Sequence, residues 1–146
     1  MLLNNIPLKV FLDEGAFPIE YANEYAAGID IRSPESISIW PGSSVTIDTG
    51  VHVEMPSDFC GLVVSKSGLN IKHGVTSTGL IDPDYRGPIV VKLYNSSDKR
   101  YDIAAGDKIT QLLMLPRVVF NIEYTDKLSD LTKTERGDKG FGSTGR

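Results

Sequence analysis

The stretch Val45-Thr-Ile47-Asp-Thr49-Gly-Val51-His-Val53-Glu-Met55 sets apolar residues at the odd positions, with Thr49 the one compromise, and polar or small residues at the even ones. Period two is the spacing of a strand whose side chains point alternately to core and to solvent. The pattern predicts one long half-buried strand with a kink at Gly50. Outward from it, residues 8–12, 36–40, 59–65, 89–95, 108–115 and 117–124 are further strand candidates. They are short, rich in Val and Ile, and divided by turn formers such as Pro41-Gly42, Asp82-Pro83-Asp84 and Ala105-Gly106-Asp107. Helix is scarce. Ser67–His73 predicts one short helix, with Ser65 or Ser67 capping its start and Gly74 ending it, and residues 126–133 allow another turn or two. Many short strands with few helices point to an all-β antiparallel sandwich or barrel, closed to protect its edges.

At 146 residues the chain fits one domain. Fifteen basic against nineteen acidic residues leave a net charge of −4, so the broad basic field that a duplex-binding protein needs is missing. A local group of cations can still hold a small anionic ligand. Cys60 is the only cysteine, which excludes an intrachain disulfide and a multi-cysteine metal site and favours a reducing compartment. The start, Met1-Leu-Leu-Asn-Asn-Ile6-Pro7, lacks the basic opening and long apolar run of a signal peptide. No run approaches the roughly 18 apolar residues of a membrane span. The default expectation is a cytoplasmic protein with no nucleic-acid or membrane partner.

Three stretches carry residues suited to chemistry. Gly79-Leu-Ile-Asp82-Pro-Asp84-Tyr85-Arg86-Gly87 puts a carboxylate at a strand-to-turn junction, where an ionised Asp beside a bound water can act as a general base. An aromatic three residues later can pack on a sugar ring; the bland alternative is a turn satisfying its own backbone. Ser65-Lys66-Ser67-Gly68 opens the short helix, so amide groups and the Lys66 ammonium suit a phosphate, against a plain helix cap as the common explanation. Gly106-Asp-Lys-Ile-Thr-Gln111-Leu starts a strand after a tight turn. His52 and His73 have no telling partner in sequence, and solvated surface histidine is the expectation for both. No Ser-His-Asp triad is indicated.

The end of the chain, Arg136-Gly-Asp-Lys-Gly140-Phe-Gly142-Ser-Thr-Gly145-Arg, holds four glycines and one apolar residue. That composition cannot anchor a core. It reads either as a frayed terminus or as an arm that orders over a ligand, with amides, hydroxyls, a guanidinium and one stacking face for a phosphorylated nucleotide. Gly137 and Gly142 have P-loop spacing, but Ser143 stands where lysine belongs and no helix follows, so a P-loop is rejected.

Taken together and in order, Ala27-Gly28-Ile29-Asp30-Ile31-Arg32-Ser33, Ser65–Gly68, Gly79–Gly87, Gly106–Leu112 and 136–145 resemble the five motifs of the trimeric dUTP diphosphatase (dUTPase) family. The resemblance spans nearly the whole chain, and the third and fifth motifs are the specific ones. It implies a distorted antiparallel jelly-roll (the β-clip, dUTPase-like fold), a homotrimer, a β-domain over residues 1–135 and a flexible arm over 136–146 that closes the active site. It implies hydrolysis of dUTP to dUMP and pyrophosphate with Mg2+, limiting uracil in DNA and supplying dUMP for dTMP synthesis. Asp82 then matches the general base that aims water at the α-phosphorus, and Gln111 the glutamine beside the α-phosphate and that water. Tyr85 matches the aromatic that packs on deoxyribose. The backbone of Gly79, Leu80 and Ile81 would pair with the uracil edge. Lys66, Ser67 and Gly68 match the phosphate-holding motif, with Lys66 where many relatives carry arginine, which keeps the charge and loses the bidentate grip. Arg136, Phe141, Gly142, Ser143 and Thr144 match the arm. Asp30 matches an aspartate that touches the magnesium only through water, the triphosphate chelating the ion.

Two alternatives share the scaffold. A dCTP deaminase-like enzyme would need a catalytic glutamate in the strand after the third motif, and Lys92 stands there. A nucleotide-sensing regulatory protein would bind without turnover.

Overall fold

The computed structural model describes residues 6–140. Twelve strands follow in chain order: β1 (Lys9–Leu12), β2 (Glu20–Tyr21), β3 (Ile29–Arg32), β4 (Ile37–Ile39), β5 (Ser44–Asp48), β6 (Val51–Glu54), β7 (Phe59–Val64), β8 (Val75–Thr76), β9 (Thr78–Ile81), β10 (Val90–Asn95), β11 (Tyr101–Ile103) and β12 (Lys108–Pro116). One helix, α1 (Ser67–His73), lies between β7 and β8, and Leu128–Asp130 makes a single 3-10 turn. The all-β reading holds. A five-stranded sheet runs β2-β3-β12-β7-β9, a three-stranded one β5-β10-β8, and two-stranded ribbons pair β1 with β6 and β11 with β4. Every pairing is antiparallel.

The long strand expected over 45–55 is two strands. Gly50 has φ +64°, and a Cβ there would lie 2.9 Å from Ala16 Cβ and 3.2 Å from Asp13 Cβ. Glycine is needed on both counts. The left-handed residue turns the chain out of one sheet and into another, so β5 pairs with β10 while β6 pairs with β1. Thr49 is fully buried, and its hydroxyl donates to the Ile89 carbonyl at 2.6 Å, which allows a polar side chain on the core face.

The core lies between the sheets and is dominated by branched aliphatics, among them Ile31, Ile47, Val51, Ile89, Leu93 and Leu112. β10 alternates without a fault, with Val91, Leu93 and Asn95 inward and Val90, Lys92 and Tyr94 outward. Buried Asn95 is fully used: its amide donates to the carbonyls of Ile39 and Lys99, and its Oδ1 accepts from the backbone and hydroxyl of Ser97.

α1 forms over the predicted residues and ends at Gly74 in the left-handed conformation, φ 64°. Its start differs from expectation. Lys66 is the N-cap and no side chain caps the helix. Ser65 instead exchanges hydrogen bonds with the backbone of Ser77, tying the end of β7 to the link before β9.

Residues 117–124 form no strand. From Leu115 to Gly140 every residue is exposed, including Val118, Phe120, Ile122, Tyr124, Leu128 and Leu131. Their alternation is real, but one chain supplies no partner for their backbone.

Candidate active site

Asp30 lies in the middle of β3, 2% exposed, between core residues Ile29 and Ile31. Burial pushes its carboxyl pKa up, but the ammonium groups of Lys108 and Lys66 outweigh this and hold it below the ordinary aspartate value. Lys66 hydrogen-bonds Oδ1. Lys108 Nζ sits 2.7 Å from Oδ2 as an ion pair, although its angles fall outside those of a hydrogen bond. Glu20 of β2 lies beside them, 2.8 Å from Arg32 and 3.8 Å from Lys108. Three cations thus face two carboxylates, an excess of positive charge that suits a phosphate.

Gln111 is the cross-strand partner of Asp30, and its Nε2 donates to the Ser65 carbonyl at 3.1 Å. Its side chain lies across Gly28, where a Cβ would come within 2.5 Å of Oε1. Gly28 in the first motif therefore gives room to Gln111 in the fourth. The start of α1, with Ser67 and Gly68, follows directly from Ser65 and Lys66, and a Cβ on Gly68 would meet nothing within 4 Å. One end of the five-stranded sheet thus gathers Asp30, Lys66, Ser67, Gly68 and Gln111. Lys108, missed as a site residue from sequence, joins them; its only signal was its place three residues before Gln111.

The third motif occupies a different place. Among the described residues β9 is an edge strand, paired only with β7, so Gly79, Leu80 and Ile81 keep backbone groups free there along its outer side. Leu80 is exposed and Ile81 buried. Asp82 follows at the strand's end, exposed, beside a 500 Å³ cleft that Glu54, Ser57, Asp84, Arg86 and Arg117 also line. Tyr85 folds back over Gly87, and its hydroxyl donates to the Pro88 carbonyl at 2.9 Å.

These two groups are far apart in one chain. Gln111 pairs with Val64, which pairs with Thr78, four residues before Asp82. Four residues along a strand and two strands across correspond to about 16 Å between the Cα atoms of Gln111 and Asp82. Arg136 is exposed, and among the described residues it bonds only within its own turn, Nε donating to the Lys139 carbonyl. Phe141, Gly142, Ser143 and Thr144 lie outside the described residues.

His73 is exposed, as expected, while His52 is half-buried and departs from the surface expectation. His73 packs against Tyr101, with ring centroids 4.9 Å apart. His52 bonds at both ring nitrogens, to the Arg86 carbonyl and to Asp13. Its partners lie 34 and 39 residues away, which no local pattern could expose. Lys92, at the position where a deaminase would need glutamate, is exposed with Nζ 5.4 Å from the Tyr94 ring centroid. Among the described residues no helix is long and apolar enough to cross a membrane.

Known proteins resemble this chain in sequence and in fold. A deoxyuridine 5'-triphosphate nucleotidohydrolase of Candida albicans is 39% identical over 142 residues, covering 95% of this chain and 88% of the relative. One of Clostridium tetani is 37% identical over 144 residues, covering 97% of each. The solved structure of a mutant Staphylococcus bacteriophage 80alpha dUTPase with dUpNHpp superposes with a TM-score of 0.87 at 27% identity, over 97% of this chain and all of that one. A mutant dUTPase from phage phi11 of S. aureus, described for its coordination of a structural Mg(II) ion, gives 0.77 at 26% identity, over 84% and 98%. The dUTPase family profile matches residues 16–145, nearly the whole chain, and the protein belongs to the dUTPase family.

Proposed function

We propose that the protein is a dUTP diphosphatase, hydrolysing dUTP to dUMP and pyrophosphate. The observation that carries this reading is the third-motif unit. An open-edged strand ends in exposed Asp82, beside a tyrosine whose hydroxyl end packs against Gly87 and is tied to Pro88. The free edge of β9 suits pairing with a uracil edge, and Tyr85 offers a face to a sugar with no room for a 2′-hydroxyl. Asp82 takes a proton from water as the water oxygen bonds to the α-phosphorus. The bond from that phosphorus to the bridging oxygen breaks, and its electron pair leaves with pyrophosphate. Lys66, Lys108 and the uncapped amides of Ser67 and Gly68 balance phosphate charge, with Gln111 beside the α-phosphate.

The separation of Asp82 from Gln111 favours a site assembled from more than one chain, since one chain cannot bring both to a single phosphorus. The exposed apolar residues of 117–131 and an open apolar groove of 750 Å³ lined by Ile6, Leu8, Val10, Ile19, Phe59 and Met114 support assembly. A homotrimer, with residues 136–146 of one copy closing the site of another through Arg136, Phe141, Gly142, Ser143 and Thr144, fits both features.

Magnesium fits as an ion brought by the triphosphate. Among the described residues no three His, Cys, Asp or Glu side chains gather, and Asp30 offers one carboxylate already held by two lysines. Bound there, the ion would neutralise phosphate charge. Phosphate bound here would compete for the same lysines, which would leave an Asp30 oxygen able to accept from a water held by the ion. A cytoplasmic location accords with a nucleotide substrate and a single cysteine.

Incubation of the purified protein and Mg2+ with dUTP, dCTP, dTTP and UTP tests the reading. Pyrophosphate from dUTP alone is expected. Ammonia from dCTP would establish deamination, and binding of dUTP without turnover would establish a sensor.

A further inference from the structure

His52 stands on β6 between core residues Val51 and Val53, opposite Phe11 of β1. Its Nδ1 lies 2.7 Å from the backbone oxygen of Arg86, and its Nε2 lies 3.0 Å from Asp13 Oδ2. Both partners are acceptors, since a carbonyl oxygen and an ionised carboxylate carry no proton to give. The two contacts are hydrogen bonds together only when both ring nitrogens are protonated. A neutral imidazole keeps one and loses the other.

The surroundings favour the charged ring. The Arg86 carbonyl, then Asp13, raise its pKa above the ordinary histidine value against the effect of burial, with Asp48 at the end of β5 adding negative charge. Phe11 packs edge-on at 5.6 Å. The nearby charges Lys9 and Glu54 pair with each other at 2.9 Å. The Arg86 guanidinium turns back on its own loop, to the carbonyls of Pro83 and Tyr85.

The position of Arg86 gives this ring its importance. Residues 82–87 carry both Asp82 and Tyr85, and their other hydrogen bonds are internal or reach only Pro88. Among the described residues, His52 supplies the single hydrogen bond to this loop from elsewhere in the fold. Asp13 in turn is held by its amide bond to the Gly50 carbonyl at 2.9 Å.

We propose that His52, as an imidazolium bridging Asp13 and the Arg86 carbonyl, is a positioning residue that clasps the loop of Asp82 and Tyr85 to the body of the protein and releases it on deprotonation. This rests on the substrate-site reading of those two residues. A raised folded-state pKa means the clasp is complete below the ordinary histidine value and is lost as pH rises through the folded one.

His52 is one of two histidines, so H73Q leaves it the only ring to follow by 15N NMR. The ring is expected to titrate above the ordinary histidine range, and the hydrogen-exchange protection of the Tyr85 amide, which donates to the Asp82 carbonyl, to fall with it. H52Q should show the low protection at every pH, and D13N should move the midpoint down. In kinetics, kcat/KM for dUTP should fall about tenfold along this limb, the scale of one charge-assisted hydrogen bond. H52Q should lie at the lower level throughout, and D13N should shift the limb to lower pH. A His52 midpoint at or below the ordinary value, or loop protection unchanged in both H52Q and D13N, overturns the clasp. If the protein turns over no dUTP while protection still follows His52, the clasp stands and the substrate reading falls.

Discussion

The Tyr85 ring occupies the space where Gly87 would carry a Cβ. An atom built there lies 2.3 Å from the hydroxyl oxygen and 2.5 and 2.9 Å from two ring carbons. The ring is therefore fixed by the absence of a side chain two residues on, and by its hydroxyl's bond to Pro88. G87A should drive Tyr85 off this position while leaving the core intact. We expect kcat/KM for dUTP to drop by about 10²-fold, the usual cost of a misplacement near 1 Å, and UTP to be rejected less well. Unchanged dUTP/UTP selectivity in G87A would remove Tyr85 from sugar recognition.

Asp82 is exposed and forms no side-chain hydrogen bond among the described residues, so its carboxylate is free to take a proton from water. Asp82→Asn should bind a non-hydrolysable dUTP analogue as before and lose about 10²–10⁴ in kcat. Single-turnover kinetics beside calorimetry separates the two effects. A near-normal rate would discard the base assignment.

Gly68 sits in α1 with open space around its missing Cβ. G68A should leave stability equal or raise it by up to about 1 kcal/mol, since alanine favours helix. The same methyl stands between the helix start and a phosphate, so KM for dUTP should rise. Thermal melting with steady-state kinetics checks both; a raised KM with a lowered melting point would trace the effect to folding.

Asp30 is buried between Lys66 and Lys108, and their ammonium groups prevail over burial to lower its pKa. A lowered folded-state pKa contributes stability that is present above the unfolded value and is lost as pH falls through the folded one. Denaturation midpoints should therefore decline below the ordinary carboxylate range. D30N should be less stable by about 1–3 kcal/mol at pH 7, the scale of hydrogen bonds to a charged group, and should show a flatter acid limb. Parallel acid limbs for the two proteins would deny Asp30 this role.

Removal of residues 136–146 should leave a folded protein, because among the described residues the packed strands end at Pro116 and no core side chain lies beyond it. Activity on dUTP should fall to a small residue. Loss of cooperative unfolding in the truncated protein would make this segment structural.

Local order was legible before any contact was known. Short Val- and Ile-rich runs gave the longer strands and the all-β class, though not β2, β3, β8, β9 and β11, while Gly74 and the polar start located α1, because these signals act within a few residues of themselves. The five motifs likewise lie in the linear order of the chain. What required the tertiary structure was the choice of partners. The break at Gly50 sends one alternating run into two sheets, and alternation specifies a face without specifying a neighbour. Ile29–Arg32 hides Asp30 in the core because two lysines, 36 and 78 residues further along the chain, come to meet it. Residues 117–124 alternate well and remain unpaired, since a strand needs another backbone and one chain does not supply it. His52 read as surface and is a bridge, because Asp13 and Arg86 reach it only when remote segments pack. Periodicity records how a segment meets water and core; which segments meet each other is settled by packing over the whole fold.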